Sequence, residues 1–168
     1  DVYYWYPYAV NSQGESRNSL SEFSRAYMDL SQTGTANCYL IQTPGKYKFD
    51  ATVRGNSTDQ VGNAFTAEVV WEFCNPSTLE PIIAEVNLNN GYVEFETTEE
   101  AQYGNALIAV KDVNGVILWS WHIWMCDFDP EVTAHKTQSG VMLMDRNLGA
   151  TLSTFSDSDG RYRASGML

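Results

Sequence analysis

The sequence predicts an all-β protein built as a sandwich of two sheets, and three observations favour this class. Turn residues recur every 8–15 positions between short runs rich in β-branched and aromatic residues. Two of the turns contain Asn-Gly, the strongest short-range hairpin signal. No helical pattern alternates with the strands, as an α/β protein would require. The predicted strands cover residues 37–43, 46–53, 67–73, 82–88, 92–97, 106–112, 116–128 and 141–144.

Each break between these strands has turn chemistry of its own. Pro44-Gly45 predicts a tight turn, and a strand follows in which Tyr47, Phe49 and Ala51 alternate with polar residues. Residues 55–62 form a polar loop, and Asn-Pro-Ser at 75–77 ends the next strand. Asn-Asn-Gly at 89–91 predicts a type I′ hairpin, because Asn and Gly both tolerate positive φ. Val-Asn-Gly at 113–115 predicts a second hairpin.

The first 30 residues are set apart as an N-terminal segment with an aromatic strand and a short helix. Val2, Tyr4, Tyr6 and Tyr8 would share one side of an extended strand, which a neighbouring subunit could accept by strand addition. The alternative is an ordinary first strand in its own sheet. Residues 19–30 fit a capping box followed by apolar residues on one helical face, yet the same stretch could feed a strand.

The sandwich itself is assigned to residues 31–130, and residues 131–168 are expected to form a linker and the start of an incomplete second module. After residue 130 the composition becomes polar, with only residues 141–144 apolar, and residues 145–168 are rich in Ser, Gly, Asp and Arg. Such a segment has little apolar surface to bury.

The charge balance restricts the partners of the chain. Ten Lys and Arg against 21 Asp and Glu give a formal charge of −11. This field repels phosphate backbones and anionic lipids, so nucleic acid and acidic membrane surfaces are excluded as expected partners. No apolar run approaches the ~20 residues of a membrane-spanning helix.

Residues 116–128 hold three of the five tryptophans and decide where a ligand could bind. On a strand, one face is wholly apolar and is predicted to be core: Ile117, Trp119, Trp121, Ile123 and Met125. The opposite face is mixed: Leu118, Ser120, His122, Trp124 and Cys126. Trp124 and His122 are candidate ligand-binding residues, because an indole face stacks on a sugar ring. They could equally pack under residues 141–155 or against a following domain.

Metal and nucleophile chemistry is weakly indicated. Asp157-Ser-Asp-Gly160 resembles half of a calcium loop, so Asp157 and Asp159 are candidate calcium ligands, with a plain turn as the alternative. The His and Cys spacings fit no compact zinc site, and no catalytic triad is indicated by spacing. The three cysteines at 38, 74 and 126 permit one bridge in three alternative pairings, or small buried side chains.

Several blocks of the sequence resemble a surface lipoprotein pattern of anaerobic gut Bacteroidota. In that pattern an immunoglobulin-like β-sandwich precedes a Fibrobacter-type major paralogous domain, and fimbrillin-like proteins share the architecture loosely. The resembling blocks are GTANCYLI (34–41), PGKYKF (44–49), VRGN (53–56), GNALIAVKD (104–112), ILWSWHIW (117–124) and MDRNLGA (144–150). The resemblance implies an exported protein of the cell surface, outer membrane or secreted fraction, with an antiparallel immunoglobulin-like sandwich. It implies no catalytic residues.

The expected function is therefore a non-enzymatic structural or adhesion module, associated with other surface proteins or subunits. The competing expectation is a carbohydrate-binding module that uses Trp124 and His122. A third is an enzyme whose active site lies after residue 168. No cofactor is expected, with calcium as the one candidate ion.

Overall fold

A computed structural model describes residues 26–73, 81–99 and 103–151, and these residues form two four-stranded sheets and one two-stranded sheet. The strands are β1 (Met28–Asp29), β2 (Cys38–Ile41), β3 (Lys46–Asp50), β4 (Thr66–Phe73), β5 (Ile83–Asn89), β6 (Tyr92–Thr97), β7 (Gly104–Lys111), β8 (Ile117–Met125), β9 (His135–Lys136) and β10 (Met142–Leu143). The first sheet has the order β1-β3-β6-β5 and the second β2-β8-β7-β4. One helical turn, Pro130–Thr133, is the sole helix among these residues. The all-β prediction is confirmed.

The expectation of purely antiparallel sheets is wrong at one edge of each sheet. β1 runs parallel to β3, and β2 runs parallel to β8. All other pairs within the two sheets are antiparallel. The parallel pairs join segments far apart in the sequence, with no hairpin between them, so a pattern of local turns gives no sign of their direction.

Phe49 is the centre of the core between the two sheets. Its ring lies 4.8 Å from Tyr39, 6.3 Å from Phe95 and 5.2 Å from Trp121, measured between centroids. Tyr39 and Trp121 belong to the second sheet, whereas Phe49 and Phe95 belong to the first. Phe49 and Trp121 are fully buried, and the predicted alternation of Tyr47, Phe49 and Ala51 is confirmed.

The two hairpin turns differ in kind. Asn90 and Gly91 have φ of 49° and 83°, the pair of positive values that defines the predicted type I′ turn. A side chain at Gly91 would place its Cβ 2.7 Å from Thr52 Cγ2, so glycine is needed for space as well as conformation. In the second hairpin only Gly115 has positive φ, and its N–H donates to the carbonyl of Asp112. This is a three-residue loop with a glycine bulge.

The helix expected over residues 19–30 does not extend into the described residues. Residues 26–30 are extended or turned, and residues 1–25 lie outside the described part of the chain. The Asp29 carboxylate accepts hydrogen bonds from the backbone N–H and the hydroxyl of Ser31, a local arrangement that competes with helix. The Leu30 N–H donates to the carbonyl of Lys48, which joins this segment to β3.

A β-bulge alters the predicted core face of β8. Val110 pairs with Trp119 and Lys111 with Ile117, so Leu118 is an extra residue in β8. Trp119, Trp121, Ile123 and Met125 belong to the core as predicted. Ile117 is 48% exposed, and Leu118 packs on the core in its place. The core assignment of Ile117 is therefore wrong, because the bulge interrupts the alternation.

Strands β9 and β10 form an antiparallel pair, here called the C-terminal ribbon (residues 135–143). The strand predicted over residues 141–144 is present as β10, but its apolar side chains face solvent. The chain then turns back, and Ala150 and Thr151 are buried at 0% and 4% exposure. None of the helical residues described is part of a helix long and apolar enough to cross a membrane.

Candidate functional site

Trp124 and His122 lie on the outer face of the second sheet, as the alternation of β8 predicts, but both are buried. Trp124 is 2% exposed and His122 is 6% exposed. The Trp124 ring stacks on Phe128 with centroids 5.5 Å apart and planes at 20°. Phe128 is held in place by a hydrogen bond from the side-chain amide of Gln42 to its carbonyl. Because Phe128 covers one face of the indole and Trp124 is almost fully buried, a sugar ring cannot stack on Trp124 in this arrangement.

A chain of polar contacts passes through His122, and we call it the Cys38 relay (Cys38, His122, Asn105 and Gly149). The Cys38 Sγ lies 3.2 Å from His122 Nδ1. The His122 Nε2 lies 2.7 Å from Asn105 Oδ1. The Asn105 Nδ2 donates to the carbonyl of Gly149 at 2.9 Å. The relay therefore joins strands β2, β8 and β7 to a segment that comes after the sandwich.

The proton positions in the relay are fixed by its last bond. The amide nitrogen of Asn105 donates to Gly149, so its oxygen faces His122 and accepts. His122 must then carry its proton on Nε2, which leaves Nδ1 as an acceptor. The Cys38 thiol is the donor to Nδ1. Every member is satisfied when all three side chains are neutral.

Burial keeps the relay neutral. It raises the pKa of the Cys38 thiol to about 11, with a smaller contribution from the nearby Cys126. It lowers the pKa of His122 to about 4. Both groups are therefore uncharged at neutral pH. Nucleophilic cysteines show the opposite, a thiol pKa lowered to about 3.5–7.5 by a charged partner or a helix N-terminus. The connectivity matches a Cys-His-Asn triad, whereas the protonation does not.

Strand register explains how residues far apart in sequence meet in the relay. Cys38 is paired with His122 across the parallel β2–β8 edge. Leu107 is the residue of β7 opposite His122, and Asn105 lies two positions along the same face. In the sequence, residue 105 lies just before the strand predicted over 106–112, and Cys38 has the character of a small buried residue, so neither indicates this grouping. The grouping could be predicted only by knowing that β2 pairs with β8 in parallel.

A second cluster holds the segment after the ribbon near the relay. The Arg146 guanidinium donates to both Asp127 and Asp145, at 2.9 Å and 2.8 Å. It also lies 5.3 Å from the Phe128 ring centroid. The hydrogen bond from Arg146 lowers the pKa of Asp145. Packing of Trp124 and His122 under residues 141–155, the alternative to a ligand platform, thus agrees with the positions of residues 146–151.

Two further aromatic residues join the outer face through a bulge at Val70. Before the bulge, Val69 is opposite Ile108 and packs on the core. After it, Trp71 is opposite Leu107 and Phe73 opposite Asn105, so both share the face of His122. Their rings are half-buried, 6.4 Å apart between centroids and nearly parallel at 12°. No residue pattern in β4 indicates this bulge.

Metal ligands do not group together in the part of the chain that is described. No set of three His, Cys, Asp or Glu side chains within residues 26–73, 81–99 and 103–151 could hold an ion. The candidate calcium ligands Asp157 and Asp159 lie outside these ranges, as does Cys74. Cys38 and Cys126 both carry free thiols, so no disulfide joins these two.

The depressed pKa of His122 predicts that the protein loses stability between pH 6.5 and 4. The unfolded chain takes up the proton near pH 6.5, whereas the folded protein resists it until about pH 4. The contribution is complete above pH 6.5 and falls by about 2 kcal/mol as the pH drops through this window, after discounting for solvent screening. Urea unfolding of the wild type and His122→Gln at several pH values measures the difference.

The matched control for this pH dependence is His135→Gln, because His135 is exposed on β9. This variant should retain the acid-dependent loss that His122→Gln lacks. Parallel stability curves for all three proteins between pH 4 and 6.5 would contradict the assignment to His122.

Comparison with known proteins found no match to any family model, any curated protein or any solved structure.

Proposed function

We propose that this protein is a non-enzymatic structural or adhesion module of a cell-surface assembly, exported to the outer membrane or beyond, with an immunoglobulin-like sandwich. The sequence blocks that resemble Bacteroidota surface lipoproteins support the surface location. The structural support comes from one observation, the number of exposed apolar side chains in the segment that contains the C-terminal ribbon.

Half of the exposed large apolar residues in the described ranges fall within 17 positions of the chain. They are Val132, Val141, Met142, Leu143, Met144 and Leu148, with exposures between 42% and 78%. Isolated apolar residues on a surface are ordinary, whereas a concentrated group marks an interaction site. Lys136 lies opposite Met142 in the ribbon, and Asp145 follows Met144 in the sequence. A neighbouring subunit that covers this surface is the partner we propose.

The edge strand β4 is protected against strand addition, which favours the C-terminal ribbon rather than β4 as the contact surface. The edge strand β4 has a bulge at Val70, and the ion pair between Glu68 and Lys111 places charge beside it. Bulges and charges on an edge strand oppose the addition of a strand from another chain. In the ribbon, by contrast, two neighbouring apolar side chains, Met142 and Leu143, are both about half exposed.

The neutral state of the Cys38 relay supports a non-enzymatic role. A thiol with a pKa of about 11 holds its proton at neutral pH, and the imidazole beside it has a pKa of about 4. Transfer of the proton between them is unfavourable, so neither group is prepared for nucleophilic or general-base work. The relay is better suited to holding residues 146–151 against the sandwich.

Sedimentation of the purified 168-residue chain tests the proposal. We expect concentration-dependent oligomers, and the double variant Met142→Lys with Leu143→Lys should raise the half-dissociation concentration at least tenfold. Lysine lowers the net negative charge, so general repulsion would not explain the loss. Val113→Lys with Val116→Lys is the matched control, since both side chains are exposed at the β7–β8 turn. A protein that stays monomeric at all concentrations would contradict the proposal.

Deletion of residues 1–10 separates the ribbon from strand donation. If the aromatic N-terminal segment is donated to a neighbouring subunit, the deletion alone should weaken the oligomer. If the ribbon is the contact, the deletion should leave the half-dissociation concentration within a factor of two. If the deletion abolishes assembly and the ribbon variant does not, the contact surface is the N-terminal segment and not the ribbon.

A further inference from the structure

A groove beside the end of β3 has the composition of a binding site for an uncharged ligand. It has a volume of about 460 Å³ and lies between the loop after β3 and the β5–β6 turn. This volume is within the usual range of small-molecule sites, roughly 300–1,000 Å³. It lies apart from the Cys38 relay and from the C-terminal ribbon, none of whose residues line it.

The walls of the groove are fixed by backbone contacts. The Ala51 N–H donates to the carbonyl of Gly91, which joins the end of β3 to the β5–β6 turn. The Val61 N–H donates to the carbonyl of Thr52, and the Val61 side chain is buried in the core at 3% exposure. The loop therefore has a defined shape before any ligand arrives, which limits the entropy lost on binding.

The polar groups in the groove are all uncharged. Thr52, Gln60 and Asn63 supply one hydroxyl and two carboxamides, and no charged side chain lines the groove. The Thr52 hydroxyl donates to Asp50 and keeps acceptor capacity. The carboxamides of Gln60 and Asn63 are exposed and make no hydrogen bond to any other described residue. Each can donate and accept at once, which matches a pair of neighbouring hydroxyl groups.

The apolar part of the lining is small. Ala51, Ala64 and Leu88 contribute it, and no aromatic ring is among the lining residues. Such a surface suits the C–H face of a sugar ring, although the lack of a stacking partner limits affinity to about the millimolar range. The formal charge of −11 opposes anionic ligands. Without a carboxylate in the lining, a cationic ligand has no direct partner either.

We propose that this groove binds an uncharged glycan, held by Gln60 and Asn63 over a floor of Ala51, Ala64 and Leu88. The inference deepens the proposed adhesive role, because it gives that role a ligand class. It places the glycan away from Trp124 and His122, whose faces are covered. Specificity comes from the two carboxamides, and the net negative charge of the protein disfavours sialylated and sulfated forms.

The experiment probes the 168-residue chain with an array of neutral, sialylated and sulfated glycans, followed by NMR titration with the neutral glycan that binds best. Neutral glycans should bind in preference to their acidic derivatives. Chemical shifts should change at residues 51–52, 60–64 and 88–91. The double variant Gln60→Ala with Asn63→Ala should weaken binding at least tenfold.

The matched control is Gln32→Ala with Asn87→Ala, which removes the same chemistry from two exposed positions outside the groove. It should bind as the wild type does, and both double variants should keep the wild-type amide spectrum elsewhere. The proposal is overturned by an array with no neutral glycan bound, by equal binding of acidic derivatives, or by unchanged affinity in the groove variant. Binding of an extended peptide instead would also overturn it.

The experiments distinguish failure of the glycan site from failure of the assembly role. If the oligomers depend on the ribbon but no glycan binds, the proposed assembly role stands and only the proposed glycan site is contradicted. If a neutral glycan binds but the protein stays monomeric, the glycan site stands and the assembly role is contradicted.

Discussion

Replacing Phe49 with alanine is expected to lower the free energy of unfolding by about 4 kcal/mol, near the upper end of the range for core truncations. Phe49 is fully buried and has three aromatic rings within 6.3 Å of its own. Two of those rings belong to the opposite sheet. The truncation removes apolar burial and leaves a cavity between the sheets. Urea unfolding followed by tryptophan fluorescence measures it, because Trp121 lies beside the site.

Phe65→Ala is the control for this effect. Phe65 is 65% exposed, so the same truncation there should change the stability by no more than about 0.5 kcal/mol. Phe49→Leu should fall between the two, because leucine fills part of the cavity. Similar losses at positions 49 and 65 would show that the sheets do not pack around Phe49.

Local pattern and turn chemistry were enough to predict most of the architecture. The alternation around Phe49 identified a core strand, because side chains in a strand point to opposite faces with a period of two. Asn90 and Gly91 identified a type I′ turn through their tolerance of positive φ, and the observed values of 49° and 83° confirm it. Both signals lie within a few residues of the feature they predict.

Features that depend on distant segments or on bulges were not predictable. The bulge at Leu118 exposes Ile117, and the bulge at Val70 turns Trp71 to the outer face. Each inserts one residue into the alternation without a glycine or proline to mark it. The parallel pairing of Cys38 with His122 joins residues 84 positions apart. The Cys38 relay depends on that pairing, so local sequence patterns could not predict it.

The position of Trp124 shows how the face of a strand can be right and its exposure wrong. Alternation placed Trp124 and His122 together on the outer face, and the structure does the same. Exposure depends on residues outside β8, because Phe128 stacks on Trp124 and Asn105 bonds to Gly149 beyond the sandwich. A face that points away from the core is buried here by the chain that leaves the sheet.

Removal of the Asn105 carboxamide should therefore destabilise the protein and release the segment after the ribbon. Asn105 is 2% exposed and joins His122 to Gly149 through two hydrogen bonds. Asn105→Ala leaves a buried N–H and a buried carbonyl without partners, at a cost of about 3 kcal/mol. Arg146 lies three residues before Gly149, and its side chain is 6% exposed. Trypsin should cleave after Arg146 at least tenfold faster in the variant.

Two companion variants assign these effects to the relay. Asn87→Ala removes an exposed carboxamide from β5 and should alter neither stability nor the cleavage rate measurably. Asn105→Asp keeps an acceptor for His122 but offers no donor to Gly149 while ionised, so cleavage should still increase. Its charge should raise the pKa of His122 from about 4, which an NMR titration of the imidazole detects. Unchanged cleavage after Arg146 in both Asn105 variants would mean that Gly149 is held by other contacts, and that the relay ends at Asn105.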